Sequence, residues 1–409
     1  MKKNKTFFYT RHFQNFSFWK CVLKFTFILI PLLFTATACN DNIFYTISKE
    51  VRIKEPLIKG SPTNFVVFNG DMYVASGKIL HIYSESGEWS KKSLDEKIIH
   101  LAATSAGVYA LCYIDKEKST PQKIFWISSP SSDTARWVSL PGITEEYNLQ
   151  SIYSADDKLY FGAKKNDEDL YDVLVYDGNV FSSFLVKGEK ADAILYGVVS
   201  DSSTTFLCTG KGIYTSDGVL KDSKDKSDFN FIGIIKHPDC GTIAAITRAG
   251  ALYKIDAVLT DAGDHDKFIL TDLEVTFGSE REASGAIALW KDKDDPLNQL
   301  LLVGRKEKDY SISTGYTYGY LELKLEFKDD PDTTDVIEEN LTFDKEFKTP
   351  STIDDERYSS SIGVIPINHL FQAPNGILFA STQQKGVWSY KEHDDGSGKK
   401  KIMWNSEND

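Results

Sequence analysis

Phe65-Val66-Val67-Phe68, Asn69-Gly70, Met72-Tyr73-Val74-Ala75, Ser76-Gly77, Ile79-Leu80-His81-Ile82-Tyr83 and Gly87-Glu88-Trp89 follow one another with almost nothing between them. Short runs of β-branched and aromatic residues broken by Gly, Asn and Ser read as strands joined by tight turns. Asn-Gly is the strongest local hairpin signal, because both central residues of such a turn must tolerate positive φ. The stretch is therefore a small antiparallel meander of three or four strands.

The same unit recurs along the chain. Copies follow at Ile99–Trp137, Gln150–Leu185, Leu195–Gly218, Phe231–Asp256, Gly285–Leu325 and Asn368–Lys391, each with a strand, a Gly- or Asp-bearing turn, a second strand carrying Tyr or Phe, and a third strand. With the first at Phe65–Trp89 there are seven, and the mean period is about 50 residues, the spacing of β-propeller blades. From residue 62 onward hardly an amphipathic helix is legible. The fold class expected is all-β, a seven-bladed β-propeller with blades of about four antiparallel strands; a pair of β-sandwiches or a longer solenoid is the alternative.

The sixth-to-seventh interval is too long, and it holds Asp329-Asp330-Pro331-Asp332-Thr333-Thr334-Asp335-Val336-Ile337-Glu338-Glu339, which reads as an acidic loop inserted after the sixth blade, near 327–357. A ring must also close, since closure removes free sheet edges. Two terminal strand candidates could do this, 44–51 and 401–404, and the N-terminal one is preferred.

Ahead of the repeats lies a leader. Residues 1–38 hold six basic residues and no acid, and Phe25–Ala38 is an apolar run followed by Cys39. Fourteen residues rise only about 21 Å as a helix, short of the roughly 30 Å hydrocarbon core of a bilayer, so a cleaved signal peptide over 1–38 is expected. Ala36-Thr37-Ala38-Cys39 resembles a bacterial lipobox, with Ala36 where a larger apolar residue is usual. The resemblance implies a diacylglycerol on Cys39. Residues 39–61 would then be the lipidated Cys, a tether and the possible closing strand, with the propeller over 62–409. The expected address is the cell envelope, lipid-anchored to the cell membrane or outer membrane and facing periplasm or exterior.

The chain of 409 residues carries a net charge of −12; without the leader it holds 41 basic against 59 acidic residues, −18. So acidic a body is a poor partner for nucleic acid, whose affinity comes largely from phosphate neutralisation. Cys112, Cys208 and Cys240 are odd in number and show no metal-ligand spacing, so neither a disulfide framework nor a zinc site is expected.

Catalytic constellations are sparse. No HExxH, GxSxG, GxxxxGK[ST] or GxGxxG is present. His81, His237 and His369 read as satisfied strand or turn histidines. The acidic clusters 261–266 and 292–295 lack the alternating carboxylates and closing Glu of a calcium loop. No catalytic, cofactor or metal residue is nominated, and Cys39 is the single site residue.

Tyr83-x-x-x-Gly87-x-Trp89, echoed at Tyr176-Asp177-Gly178 and at Tyr214–Gly218, resembles the outer hairpin of kelch-like and sialidase-like propellers, and the whole chain resembles treponeme-type (spirochaete) lipoproteins that join a lipobox to a propeller. Ser131–Trp137 approaches the sialidase Asp box but is one residue short, with Ala135 for Gly. Sialidase chemistry would need an arginine triad with a Tyr nucleophile and its acid partner; Arg136, Arg248, Arg281 and Arg305 show no such arrangement in sequence. The expected function is a non-catalytic, monomeric, membrane-anchored scaffold that binds another protein or an extracellular ligand at the propeller face. The alternative is a glycan-acting hydrolase or lyase. Three or more carboxylates, arginines or tyrosines converging on one mouth of the channel would mark the enzyme, and a mixed or aromatic rim the binding protein.

Overall fold

The hairpin that opens the repeat is built as its sequence demands: Val66–Phe68 turns through Asn69 and Gly70, at φ of 52° and 84°, into Asp71–Ser76. The structure, a computed structural model, describes residues 57–407 apart from 114–121, 131–136, 141–145, 167, 202–203, 222–228, 259–266, 278–280, 294, 308–318, 328–340, 349–360 and 395–399. Among the described residues no helix is long and apolar enough to cross a membrane. The signal peptide, Cys39, the 44–51 strand candidate, the near Asp box at 131–136 and the 261–266 cluster lie outside the described residues.

Seven four-stranded antiparallel sheets form the ring, so the propeller expected from the repeats is the fold observed. Blade I holds β1 (Val66–Phe68), β2 (Asp71–Ser76), β3 (Ile79–Tyr83) and β4 (Trp89–Ser93); blade II holds β5 (Ile98–Thr104), β6 (Gly107–Cys112), β7 (Ile124–Ile127) and β8 (Val138–Ser139). Blade III holds β9 (Tyr147–Ala155), β10 (Lys158–Lys165), β11 (Tyr171–Tyr176) and β12 (Phe181–Ser183), and a small hairpin of β13 (Leu185–Val186) and β14 (Glu189–Lys190) precedes blade IV. Blade IV holds β15 (Leu195–Asp201), β16 (Thr204–Thr209), β17 (Gly212–Thr215) and β18 (Gly218–Val219); blade V holds β19 (Phe231–Lys236), β20 (Ile243–Thr247), β21 (Leu252–Val258) and β22 (Lys267–Asp272). Blade VI holds β23 (Arg281–Lys291), β24 (Gln299–Glu307), β25 (Tyr320–Phe327) and β26 (Leu341–Phe343); blade VII holds β27 (Ile367–Gln372), β28 (Leu378–Thr382), β29 (Val387–Asp394) and β30 (Lys400–Ser406). From blade I to blade VII the first strands of successive blades pack on one another around the central axis.

Sandwiching explains why the middle strands are apolar on both faces instead of alternating. On β2, Tyr73 and Ala75 join the cluster shared with blade II, whereas Met72 and Val74 join the one shared with blade VII. Among the described residues seven such clusters occur, one for each pair of adjacent blades. The pair VII and I is included, and that is the packing statement of a closed ring.

Two expectations need adjustment. The acidic stretch 329–339 does not follow the sixth blade. It falls between β25 and β26, because the three-residue β26 returns after it to pair Leu325 with Phe343 and Phe327 with Leu341. Of the two closing candidates, the C-terminal one supplies the fourth strand of blade VII, with Tyr390 paired to Trp404. Beyond it Glu407 N donates to Val387 O (2.9 Å) and Leu57 N donates to Glu407 O (2.8 Å), so the start of the described chain is tied to its end.

Side-chain amides stitch several neighbouring blades as an extra ladder rung would. Asn64 donates to Leu101 O (2.8 Å) and accepts from Leu101 N (2.9 Å). Gln122 does the same with Leu149 (3.0 and 2.7 Å), and Gln372 with Lys291 (2.7 and 2.9 Å). A carboxamide carries the donor and the acceptor on adjacent atoms, spaced as in a peptide group, which is what this needs.

Candidate functional site

In every blade the first strand runs from one end of the channel to the other, so each end collects a different set of loops. One end gathers the links between blades and the turns between second and third strands; the other gathers the turns between first and second and between third and fourth strands. At the first end the pairing slips. Tyr196 is an extra residue between the pairs Leu195–Thr209 and Gly197–Cys208, as are Ile232 in blade V and Asn368 in blade VII. Ile99 and Gln150 are extra in blades II and III, and blade VI has two surplus residues between Ala283 and Ile287. Blade I carries the same offset just ahead of β1, where Thr63 N donates to Ala75 O while Val66 pairs with Tyr73. A bulge interrupts the ladder and re-aims a side chain. Here the bulges of blades IV to VII bring Tyr196, Ile232, Ser284, Gly285 and Asn368 to the mouth.

A cavity of about 360 Å³ lies at this mouth, and its lining includes the bulge residues Tyr196, Ile232, Ser284, Gly285 and Asn368. Arg248, from the turn after β20, Arg305, from β24, and Gln383, from the turn after β28, complete its polar wall, with Ala283, Pro366 and Ile367. Gly285 is required: its φ is +89°, and an added Cβ would stand 3.2 Å from the Ile232 carbonyl oxygen. Ser284 Oγ donates to Ile367 O (3.1 Å), fixing blade VI to blade VII at the rim. Arg305 is 1% exposed and engaged with its surroundings. Arg248 differs. Its backbone is held by Asn230 O and Ala283 N, yet its buried Nε has no hydrogen-bond partner. No Asp or Glu lines the cavity among the described residues.

Three aromatic side chains meet nearer the axis. The rings of His100 and His369, from blades II and VII, are 6.1 Å apart, and Tyr153 of blade III lies 5.0 Å from His100, both edge to face. Removal from water holds His100 down to about 4, against a partial offset from the Leu101 and Ile152 backbone. The same desolvation, with the neighbouring His100, holds His369 down to about 3. Both are neutral at pH 7. His81 is lowered to about 4 by burial and by Lys91, so it too is a neutral packed residue.

His237 is satisfied, as its sequence context implied. Its Nδ1 accepts from Asp239 N and Cys240 N (3.2 and 3.3 Å), which leaves the proton on Nε2 to donate to Gln299 Oε1 at 2.7 Å. Cys112 and Cys208 are buried strand thiols, and burial pushes Cys112 up to about 12 and Cys208 upward as well. The opposite end of the channel has a cavity of about 430 Å³ among the first turns of blades I to III, with Asp156 and Asp157 in its lining. Asp157 Oδ1 is occupied by Ser105 N (2.8 Å).

Sequence reading noted Arg248 and Arg305 but had no means of bringing them together. They come from different blades, and only ring closure and the bulge register place them on one wall. The signal available was the scarcity of arginine in an acidic chain.

The fold and the mouth together define a seven-bladed propeller with an asymmetric channel. No protein-family model and no curated protein matches the chain. Among solved structures it is similar to YCF48 bound to a D1 peptide, with a TM-score of 0.47 at 9% identity over 83% of this chain and 93% of that one. It is likewise similar to the extracellular domain of the BT4673 one component system from B. thetaiotaomicron (0.47, 12%, 84% of this chain and 40% of that one). A streptogramin B lyase structure gives 0.41 at 11% identity, covering 82% and 94%.

Proposed function

We propose that this protein is an exported, lipid-anchored envelope protein whose propeller binds another protein or an extracellular ligand at the mouth formed by the interblade links. The observation that carries the binding reading is the cavity itself: four blades contribute bulge or turn residues to it, and its wall is a mixture of aliphatic, amide, hydroxyl and guanidinium groups. Recessed apolar surface with a few placed polar groups is how propellers and other scaffolds hold ligands. The anchor rests on Ala36-Thr37-Ala38-Cys39 in the sequence.

The test blocks the mouth without touching the blades. Gln383 is exposed at the rim, so Gln383→Trp should leave the melting curve unchanged and abolish retention of the native partner when the tagged protein is recovered from cross-linked envelopes. Undiminished retention would move the binding surface elsewhere. For the anchor, Cys39→Ala should release the protein from membranes and remove metabolic palmitate label.

One observation favours the glycan-acting alternative. Tyr196, Arg248 and Arg305 line the same mouth, which meets in number the convergence expected of an enzyme. Hydrolysis or elimination also needs a proton donor and an acceptor, and the described lining supplies no carboxylate for either role. Turnover of sialosides or uronate polysaccharides that disappears in Arg248→Gln would establish the enzyme and overturn the scaffold.

A further inference from the structure

A cation that lines a cavity and keeps a buried, unpartnered donor is costly to leave without a ligand. Arg248 is in that position. Its Nε–H is buried and unpaired, so a ligand in the cavity would meet the outer N–H groups of this part-buried guanidinium, whereas Arg305 is already engaged. Around it stand neutral groups able to complete an anion's hydrogen bonds: the Asn368 and Gln383 amides and the Tyr196 phenol.

We propose that the mouth cavity is a carboxylate site, with Arg248 as its charged contact, and that it takes the carboxylate of a peptide, borne on a chain end or an acidic side chain. This rests on the reading of the mouth as the binding end and names its ligand. One guanidinium among neutral donors matches a single negative charge on a planar fork. A phosphate carries nearly two charges, and among the described residues the lining offers it no second uncommitted cation. Sugars are usually gripped against flat aromatic faces, and Tyr196 is the one aromatic in the lining among the described residues; Ile232, Pro366 and Ile367 make an aliphatic wall that suits a peptide. The acidity of the body does not forbid this. Charges further than a Debye length, about 8–10 Å, are largely screened, and the carboxylate next along the chain from the lining, Glu282, does not itself line the cavity.

Calorimetry on the whole chain in detergent tests the assignment with four probes: acetyl-trialanine with a free C-terminus, its C-terminal amide, acetyl-Ala-Asp-Ala amide, and trigalacturonate, with inorganic phosphate as competitor. The free acid or the Asp peptide, or both, should bind, which identifies the source of the carboxylate, and the trialanine amide should not. Arg248→Gln should weaken binding about tenfold or more, and Arg248→Lys by less. Equal binding of acid and amide, indifference to Arg248→Gln, competition by millimolar phosphate, preference for trigalacturonate, or no binding of any probe overturns the proposal. Should Arg248→Gln fail to fold, phenylglyoxal modification of the unaltered chain replaces it: peptide should protect Arg248, and modification unaffected by peptide would refute the contact. Partner retention that survives Arg248→Gln but is lost in Gln383→Trp would remove the carboxylate while leaving the binding mouth in place.

Discussion

Glu407, 4% exposed, holds the ends of the chain together with both its backbone and its carboxylate. Oε2 accepts from Trp89 Nε1 in blade I at 2.9 Å, and Oε1 receives Ser389 Oγ and, at 2.6 Å, Lys391 Nζ in blade VII. A buried charge with three donors is worth little net against a well-packed apolar substitute, but its removal takes one acceptor from each of the three. Glu407→Ala should therefore lower the unfolding free energy by about 3 kcal/mol in a urea titration, and Glu407→Gln by roughly half of that. The aromatic residues around it explain the Tyr-x-x-x-Gly-x-Trp signature. Tyr83 and Trp89 are register partners with rings 4.8 Å apart, and both pack on Phe379 across the seam. The Tyr176–Phe181 pair in blade III, 4.7 Å apart, repeats the device away from the seam, so the motif is a stacking element of the outer hairpin.

The amide stitches and the bulges act at the scale of elements. Asn64→Asp keeps the shape and the acceptor but loses the donor to Leu101 O and sets a negative charge against a carbonyl. A loss of about 1–3 kcal/mol is expected, read from the thermal midpoint, with a similar loss for Gln122→Glu. Breaking the exposed pair Lys164–Asp169 should leave the thermal midpoint unchanged, because water solvates both groups. In blade VI, Gly285→Ala places a side chain on a left-handed backbone beside the Ile232 carbonyl. It should cost about 1–2 kcal/mol and, by shifting the bulge, weaken ligand binding at the mouth more than it weakens the fold. Short β-branched and aromatic runs bounded by turn residues foretell the inner three strands of each blade. They miss β26 and β22 because outer strands are short or polar on their free side, and a three-residue strand has no periodicity to detect. For the same reason the acidic stretch reads in sequence as following blade VI, whereas β26 returns after it to pair with β25.

The whole ring responds to pH through its buried imidazoles. His81, His100 and His369 bind a proton near 6.5 when unfolded but only near 4, 4 and 3 when folded. Between those limits the unfolded chain holds more protons, so stability rises with pH there. The native state should keep its full stability above about pH 6.5 and lose several kcal/mol by pH 4, at about 1.4 kcal/mol per pKa unit per site. Thermal midpoints at pH 7.5, 6, 5 and 4 measure this, and His369→Asn should flatten the fall. A midpoint that is flat to pH 4 would show the three imidazoles solvated.

The turn chemistry of Asn69-Gly70, the repeated apolar runs and the count of seven are properties of neighbouring residues, and the blades follow from them. Local conformation and side-chain alternation act over a few residues, which is why they are written in the sequence. The mouth is not. Tyr196, Arg248, Arg305, Asn368 and Gln383 share one wall because seven interblade clusters close the ring and the first-strand bulges of blades IV and VII set Tyr196 and Asn368 beside the second-strand and turn residues Arg248, Arg305 and Gln383. Both effects depend on packing between segments remote in sequence, where no local pattern reaches, and so tertiary structure alone decided where this propeller can bind.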